Sequence, residues 1–333
     1  MKRDIVLSAV AHNQTEYIPY NIELTKETAR LYQEATGIAP EQFDSHAGNH
    51  ILKCGFDRGE TIAPGLFKDE FGVVWERPAN EDIGMMQSLL LSEPYLGEFE
   101  LPFVDEKYIK QQCEAAMKFA GDRFTFVRLP STMFERAWSL RGFDNMLMDL
   151  ITEPEFSTKL LTMITDRCIE ILKIALEYPF DGVYLADDFG TQKGLLISPN
   201  TWENMFRPQY KRLLDFVKSK GRITCLHSCG NIYTILGQLI DIGLDIYQTV
   251  QPEIYDLEKL KKNFGMDLTF YGAISTQRVL PFGTTQELRD TVRRTLDILG
   301  KNGGFIAAPT HKIPPDTKPE NISVLIEELK NQH

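Results

Sequence analysis

The segment RITCLHSCGN, residues 222–231, decides how the rest of the chain is interpreted. Its first half is a short apolar run typical of a buried parallel strand, and its Gly-Asn end breaks the chain before a helical pattern resumes. His227 and Cys229 lie two residues apart at the end of this strand, so their side chains point to the same side. Such a pair can bind a soft divalent metal, and zinc fits it best. The alternative is that both residues belong to a buried core, because zinc needs at least one more protein ligand.

The composition of the 333-residue chain is that of an ordinary globular protein, with 43% hydrophobic and 25% charged residues. A net charge of −11 without any Lys/Arg block argues against nucleic acid as a partner. No apolar run reaches the length of a membrane span, and the N-terminus does not resemble a signal peptide. The five cysteines are scattered without the rhythm of a disulfide scaffold, so we expect a cytoplasmic protein.

The order of the predicted elements indicates a single (β/α)8 barrel of the TIM type over residues 1–333. Eight strands alternate with helices and are predicted to begin near residues 17, 46, 124, 182, 222, 245, 268 and 304. Residues 57–103 are interpreted as an N-terminal insertion, an excursion that decorates the barrel and contains a hairpin turning at Gly72. Long helices are predicted over 134–151 and from Ser198 to Lys220, and capping boxes at Thr284 and Thr317. The alternative is a doubly wound open sheet, which favours a glycine-rich phosphate turn after its first strand. Residues 20–23, YNIE, do not form one.

In a (β/α)8 barrel the catalytic groups lie at the carboxyl ends of the strands. This rule places three sets of polar residues on one face together with His227 and Cys229. They are Asp187 and Asp188 after the fourth strand, Gln248 and Gln251 after the sixth, and His311 after the eighth. His311 is then the natural third metal ligand, and three ligands would leave a fourth position open for substrate. The alternative role of His311 is hydrogen bonding without a metal.

Asp187 and Asp188 are the candidates for acid–base chemistry. One of them could orient the imidazole of a metal ligand or accept a proton; the alternatives are a cap for the next turn and a salt bridge. Adjacent residues of a strand point in opposite directions, so at most one is expected to face the pocket.

Six segments of the chain resemble the uroporphyrinogen decarboxylase superfamily. They are FDGVYLADDFG at 180–190, the Ser-Pro pair at 198–199, HSCGN at 227–231, GAISTQ at 272–277, GGFIAAP at 303–309 and IPPDTKPEN at 313–321. The resemblance covers nearly the whole chain and is densest from residue 180 onward. It implies the (β/α)8 barrel.

One branch of that superfamily removes acetate carboxyl groups from a tetrapyrrole without a cofactor. Those enzymes hold their substrate with an arginine-rich N-terminal segment containing Gly-Arg-Tyr. The corresponding stretch here, HNQTEYIP at 12–19, has no arginine, and a substrate with many carboxylates requires cations. A uroporphyrinogen decarboxylase-type activity on a tetrapyrrole is therefore the alternative function.

The other branch, the cobalamin-dependent methyltransferases such as methylcobalamin:coenzyme M methyltransferases, matches the sequence better. In this branch a His-x-Cys pair and a late Cys hold zinc; His227 and Cys229 match the pair, and His311 occupies the position of the late Cys. The resemblance implies a zinc-dependent methyltransferase of one-carbon metabolism that moves a methyl group between a corrinoid (methylcobalamin) and a small acceptor or O-methyl donor. The corrinoid is expected on a partner corrinoid protein, and Asn21, Gln248 and Gln251 are the candidates for contact with substrate or corrinoid.

Two further expectations concern assembly and activity. Decarboxylases of the superfamily are often dimers, so a homodimer is one expectation. A third interpretation is an accessory barrel that binds a metal or a corrinoid without turnover.

Overall fold

The computed structural model describes residues 1–77 and 84–332, so part of the predicted excursion at 57–103 lies outside the described residues. The helices, in chain order, are α1 Lys2–Val10, α2 Lys26–Thr36, α3 Phe43–Ala47, α4 Glu106–Ala120, α5 Phe134–Arg141, α6 Phe143–Thr152, α7 Pro154–Ala175, α8 Pro199–Thr201, α9 Arg207–Ser219, α10 Tyr233–Asp241, α11 Leu257–Phe264, α12 Val279–Phe282, α13 Thr285–Leu299 and α14 Pro319–Lys330. The strands are β1 Ile51–Gly55, β2 Gly59–Ala63, β3 Leu66–Asp69, β4 Val74–Glu76, β5 Met85–Met86, β6 Phe124–Leu129, β7 Gly182–Ala186, β8 Ile223–His227, β9 Ile246–Thr249, β10 Thr269–Ile274 and β11 Phe305–Pro309. No helix in the described ranges is long and apolar enough to cross a bilayer.

The protein has an α/β fold with a seven-stranded parallel sheet made of β1 and β6 to β11. These seven strands confirm seven of the eight predicted ones. The strand predicted near residue 17 is not formed: Tyr20 and Leu24 make single parallel bridges to Ala307 and Ile313. Pro19 lies between residue 17, where the strand was predicted to begin, and Tyr20, the first bridging residue. It has no N–H group to donate to a neighbouring strand. The α/β class is therefore confirmed, whereas a complete eight-stranded barrel is not.

The contacts of the chain divide it into two compact units. One consists of Met1–Leu52, Ala120–Thr125 and Asp245–His333, and we call it the terminal unit. The other consists of Lys53–Phe119 and Phe126–Leu244, and we call it the central unit. The single-domain organisation expected from the sequence stays a prediction.

In the central unit, β7 pairs in parallel with β6 on one side and with β8 on the other. All five residues of β7 are buried, as expected for a strand covered on both faces. The register places Leu129 beside Leu185, and Ala186 beside His227. The carboxyl ends of the three strands therefore lie side by side, and the loops that follow them form one surface.

The excursion of the central unit contains a second, antiparallel sheet in the order β2-β3-β4-β5. The hairpin predicted to turn at Gly72 is confirmed, since β3 pairs with β4 across a turn in which Gly72 has a φ of 91°. Asp69 closes this turn: its Oδ1 accepts hydrogen bonds from the N–H groups of Phe71 and Val73.

In the terminal unit, β10 lies between β9 and β11, and both pairs are parallel. The predicted capping box of α13 is confirmed, with Thr284 and Glu287 bonded reciprocally. The capping box predicted at Thr317 is wrong. Helix α14 begins after Lys318 without a side-chain cap, and Pro319 occupies its first position.

Two long predicted helices of the central unit are interrupted. The helix expected over 134–151 divides into α5 and α6 at Gly142, whose φ of 93° is the left-handed region that favours glycine. The helix expected from Ser198 to Lys220 contains a π-helical turn over Trp202–Phe206 between α8 and α9. π-Helical turns are rare and occur frequently at functional sites.

Candidate active site

The loops that follow β7 and β8 pack closely against each other, and this packing explains why each of the two motifs contains a glycine. The N–H of Phe189 donates to Ser228 Oγ at 3.0 Å. Gly190 lies directly against Gly230, and a Cβ on Gly190 would stand 2.5 Å from the carbonyl carbon of Gly230. Only glycine permits this approach, so the Gly in ADDFG and the Gly in HSCGN are required by the same contact.

Asp188, His227 and Cys229 form a cluster of potential metal ligands at this junction; we call it the ligand cluster. One donor atom from each residue lies within 4.8 Å of the others. The imidazole Nε2 of His227 is 3.5 Å from Asp188 Oδ1 and 3.6 Å from the Sγ of Cys229. The backbone N–H of Cys229 donates to Asp188 Oδ1 at 2.7 Å and holds the carboxylate in place. The structure therefore brings the predicted His-Cys pair together with one of the two predicted aspartates.

Asp187 has a different environment from its neighbour. It is fully buried, and its carboxylate accepts hydrogen bonds from the N–H groups of Met133, Phe134 and Glu135, at 3.0, 2.9 and 2.7 Å. The hydroxyl of Tyr210 donates a fourth bond at 2.7 Å. These contacts fix the start of α5 to the end of β7, which favours a structural role for Asp187.

The electrostatics of the site favour a bound cation. Burial raises the pKa of Asp187 to about 6, although hydrogen bonds from Glu135 N–H and Tyr210 lower it. Burial, together with the charges of Asp188 and Asp187, raises the pKa of the Glu135 carboxyl well above its usual value. Burial and Asp188 likewise raise the pKa of the Cys229 thiol. Carboxylates and a thiol crowded in a buried site oppose each other's ionisation, and a metal ion removes that opposition.

Aromatic side chains lie around the ligand cluster and around the buried Asp187, which we call the anchor because it holds the start of α5. The ring of Tyr184 lies 6.0 Å from the imidazole of His227, centroid to centroid, and the Nζ of Lys53 stands 4.4 Å above the Tyr184 ring. Behind Asp187, Phe189 and Trp202 pack edge to face at 5.2 Å. The inner side of the β7–β8 junction is therefore buried among aromatic rings, where hydrogen bonds to a carboxylate are strongest.

The remaining predicted site residues belong to the terminal unit. Asn21 is buried; its Nδ2 donates to Glu23 Oε1, and its Oδ1 accepts from Ile51 N–H. Gln248 and Gln251 are also buried, and Gln248 Nε2 donates to the carbonyl of Thr310. His311 follows β11 and is exposed. Their predicted roles in binding substrate, corrinoid or metal stay predictions.

Sequence reasoning assigned no role to Glu135, Tyr184 or Tyr210. Tyr184 carried a usable signal, because it lies four residues before Asp188 and so points to the same side of the chain. Glu135 and Tyr210 carried none, since their contacts with Asp187 join residues 52 and 23 positions apart.

The fold and this site can now be compared with known proteins. The family model described as uroporphyrinogen decarboxylase (URO-D) matches residues 107–332, about two thirds of the chain. The chain belongs to the URO-D family. The matched range contains the ligand cluster, so the resemblance identified from the sequence motifs is confirmed.

Two relatives of this URO-D protein are methylcobamide:CoM methyltransferases named MtaA, both from Methanosarcina barkeri. They are 27% and 24% identical to this chain over 176 residues. The alignments cover 53% of this chain and 49% of each relative, so the chain matches about half of their length. A solved methyltransferase from Methanosarcina mazei superposes with a TM-score of 0.78 at 16% identity, covering 99% of this chain and 98% of the other. This structural likeness shows a shared fold.

Proposed function

We propose that this protein is a zinc-dependent methyltransferase that moves a methyl group between a corrinoid and a small methyl donor or acceptor. The observation that carries the proposal is the ligand cluster, formed by Asp188, His227 and Cys229, in a URO-D family member related to methylcobamide:CoM methyltransferases. The names of these relatives support a corrinoid as the methyl carrier, and we propose that a separate corrinoid protein supplies it.

The donor set of the cluster suits zinc better than the hard cations. It offers one carboxylate oxygen, one imidazole nitrogen and one sulfur, whereas magnesium and calcium prefer oxygen ligands alone. Three protein ligands are typical of catalytic zinc, which keeps one position open for substrate. When bound, zinc lowers the pKa of a substrate thiol or polarises an oxygen, so either direction of methyl transfer is served.

Contacts within the protein would hold the proposed zinc ligands and the surrounding loops in place. The N–H of Cys229 fixes the Asp188 carboxylate, and the contact between Gly190 and Gly230 fixes the two loops. The hydrogen bond to Asp187 holds Glu135 at the start of α5, and the Tyr184 ring lies beside the His227 ring. A site held in this way loses little conformational freedom when substrate binds.

Zinc content of purified variants tests the proposal. The wild type is expected to hold about one zinc per chain, and Asp188→Asn, His227→Ala and Cys229→Ala to lose most of it. His311→Ala tests the ligand role implied by family resemblance: zinc retained in this variant would leave the three clustered residues as the ligands.

Two matched controls remove the same chemical groups elsewhere. Cys225→Ala deletes a buried thiol two residues before His227, and His46→Ala deletes a histidine of the terminal unit. Both are expected to keep their zinc. Cobalt substitution adds a spectroscopic check, because the sulfur-to-cobalt absorption should disappear in Cys229→Ala and persist in Cys225→Ala.

Turnover is measured as the loss of methylcobalamin in the presence of small thiols, with the zinc-loaded wild type against Cys229→Ala. Wild-type protein that holds no zinc even when zinc is offered would contradict the proposal. The tetrapyrrole decarboxylase alternative, favoured by the family's name, predicts no metal and would then be assayed first.

A further inference from the structure

The central unit contains a cavity outside the ligand cluster, between the excursion, the end of β6 and helix α7. The cavity opens to solvent on one side. Its apolar lining includes Phe56, Phe71, Leu129, Ile164 and Ile171. Cavities of this kind, mostly apolar with a few polar groups, are typical of small-molecule sites.

Two arginines in the wall of this cavity are fixed and neutralised. The guanidinium groups of Arg136 and Arg167 lie on the ring of Phe71, 3.7 and 4.7 Å from its centroid. Arg136 pairs with Asp69 at 2.9 Å and Arg167 with Glu70 at 3.0 Å, and both guanidinium side chains are about 10% exposed. Breaking a buried pair would leave an uncompensated charge, so these two arginines stay bound to their own carboxylates and act as fixed parts of the wall.

A third arginine, Arg128, also lines the cavity and is held much more loosely. Within residues 1–77 and 84–332, its ion pair is with Asp57 at 3.1 Å, and the two side chains are 37% and 61% exposed. Exposed pairs of this kind contribute little to stability. The contact uses only Nη1 of Arg128, while a guanidinium has five N–H donors in a planar fork. Arg128 can therefore bind a second carboxylate with two parallel hydrogen bonds.

Arg128 is the arginine of the wall that a ligand can reach. Arg136 and Arg167 keep their carboxylate partners, Asp69 and Glu70, in pairs that are mostly buried. The pair of Arg128 with Asp57 is more exposed, so an incoming carboxylate can exchange with Asp57 there.

We propose that this cavity binds a small organic carboxylate, with its apolar body against Phe56 and Phe71 and its carboxylate on Arg128. The ligand's carboxylate takes the place of Asp57 as the partner of Arg128. The cavity is lined by none of the three residues of the ligand cluster, and its ligand goes beyond the proposed methyl transfer.

Calorimetric titration of zinc-stripped full-length protein with benzoate tests this proposal, with benzamide as the uncharged equivalent. Benzoate is expected to bind at least tenfold more tightly than benzamide. Arg128→Gln is expected to weaken benzoate binding by roughly tenfold to a hundredfold, because it removes a charge-assisted bidentate contact. Asp57→Asn is expected to tighten benzoate binding by roughly twofold to fivefold, because it removes the internal competitor.

Arg58→Gln is the matched control. Arg58 is an equally exposed arginine of the same unit, paired with Asp105, and it does not line the cavity. The Arg58→Gln variant should bind benzoate with the affinity of the wild type. The proposal is overturned if benzamide binds as well as benzoate, if Arg128→Gln leaves the affinity unchanged, or if Asp57→Asn weakens it. Inorganic phosphate displacing benzoate at equal concentration would also overturn it, since phosphate has no apolar body for the cavity.

Discussion

The hydrogen bond from Tyr210 to Asp187 allows a quantitative test of the anchor behind the candidate site. Tyr210→Phe removes one O–H donor, 2.7 Å from a fully buried carboxylate, without changing the aromatic packing. A hydrogen bond to a charged group contributes about 1.5–3 kcal/mol. The three backbone N–H donors of residues 133–135 remain, so the carboxylate is not left unpaired. We therefore expect the free energy of unfolding to fall by about 2 kcal/mol.

Urea unfolding at pH 7, followed by circular dichroism, measures this change, with Tyr178→Phe as the matched control. Tyr178 also donates to a carboxylate, that of Glu114 at 3.2 Å, but on the exposed surface. Removing this exposed hydrogen bond should change the free energy of unfolding little. Zinc content of Tyr210→Phe should equal that of the wild type, because Asp187 anchors the loop and is not a ligand. Equal stability losses in the two variants, or zinc lost with Tyr210→Phe, would refute the reasoning.

Three further variants test other parts of the structure. Burial and the charge of Lys2 hold the pKa of His50 down at about 4, so its protonation favours the unfolded chain. Stability is complete above pH 6.5 and falls by about 3 kcal/mol towards pH 4; urea unfolding at both pH values should show a smaller fall in His50→Gln. Gly190→Ala forces a Cβ against the neighbouring loop, and we expect a loss of about 2 kcal/mol together with reduced zinc content. Asp149→Asn leaves buried Arg141 without its 2.7 Å partner and should cost about 3 kcal/mol in urea unfolding, whereas Asp215→Asn on the exposed surface should change little.

The sequence was informative about the sheet where a strand is buried on both faces. Strands β7, β10 and β11 are buried at every position, and each is a mostly apolar run followed by a polar residue, Asp187, Ser275 or Thr310. The alternation around residue 17 resembled a strand equally well, but it yields only single bridges at Tyr20 and Leu24. A pattern of side chains predicts which residues are buried. It does not show whether the backbone N–H groups form continuous hydrogen bonds with a neighbouring strand.

Prediction of the site was limited by contacts between residues far apart in the chain. The His-x-Cys spacing and the rule of strand ends were enough to predict His227 and Cys229 as neighbours of an aspartate. Which aspartate faced them depended on the start of α5, where three backbone N–H groups hold Asp187. Gly142 and the π-helical turn changed the course of two helices in ways that helical periodicity alone could not indicate.

The divergence of Asp187 and Asp188 joins the fold to the proposed chemistry. Because adjacent residues at a strand end point in opposite directions, one carboxylate enters the dry interior and the other reaches the open end. The inner carboxylate is satisfied by four donors, which makes it a poor metal ligand and a good anchor. The outer one keeps a hydrogen bond from Cys229 N–H, so it is oriented before any metal arrives. The same Asp-Asp pair therefore supplies both the rigidity of the site and one of its ligands, and exchanging the two roles would require moving the start of α5.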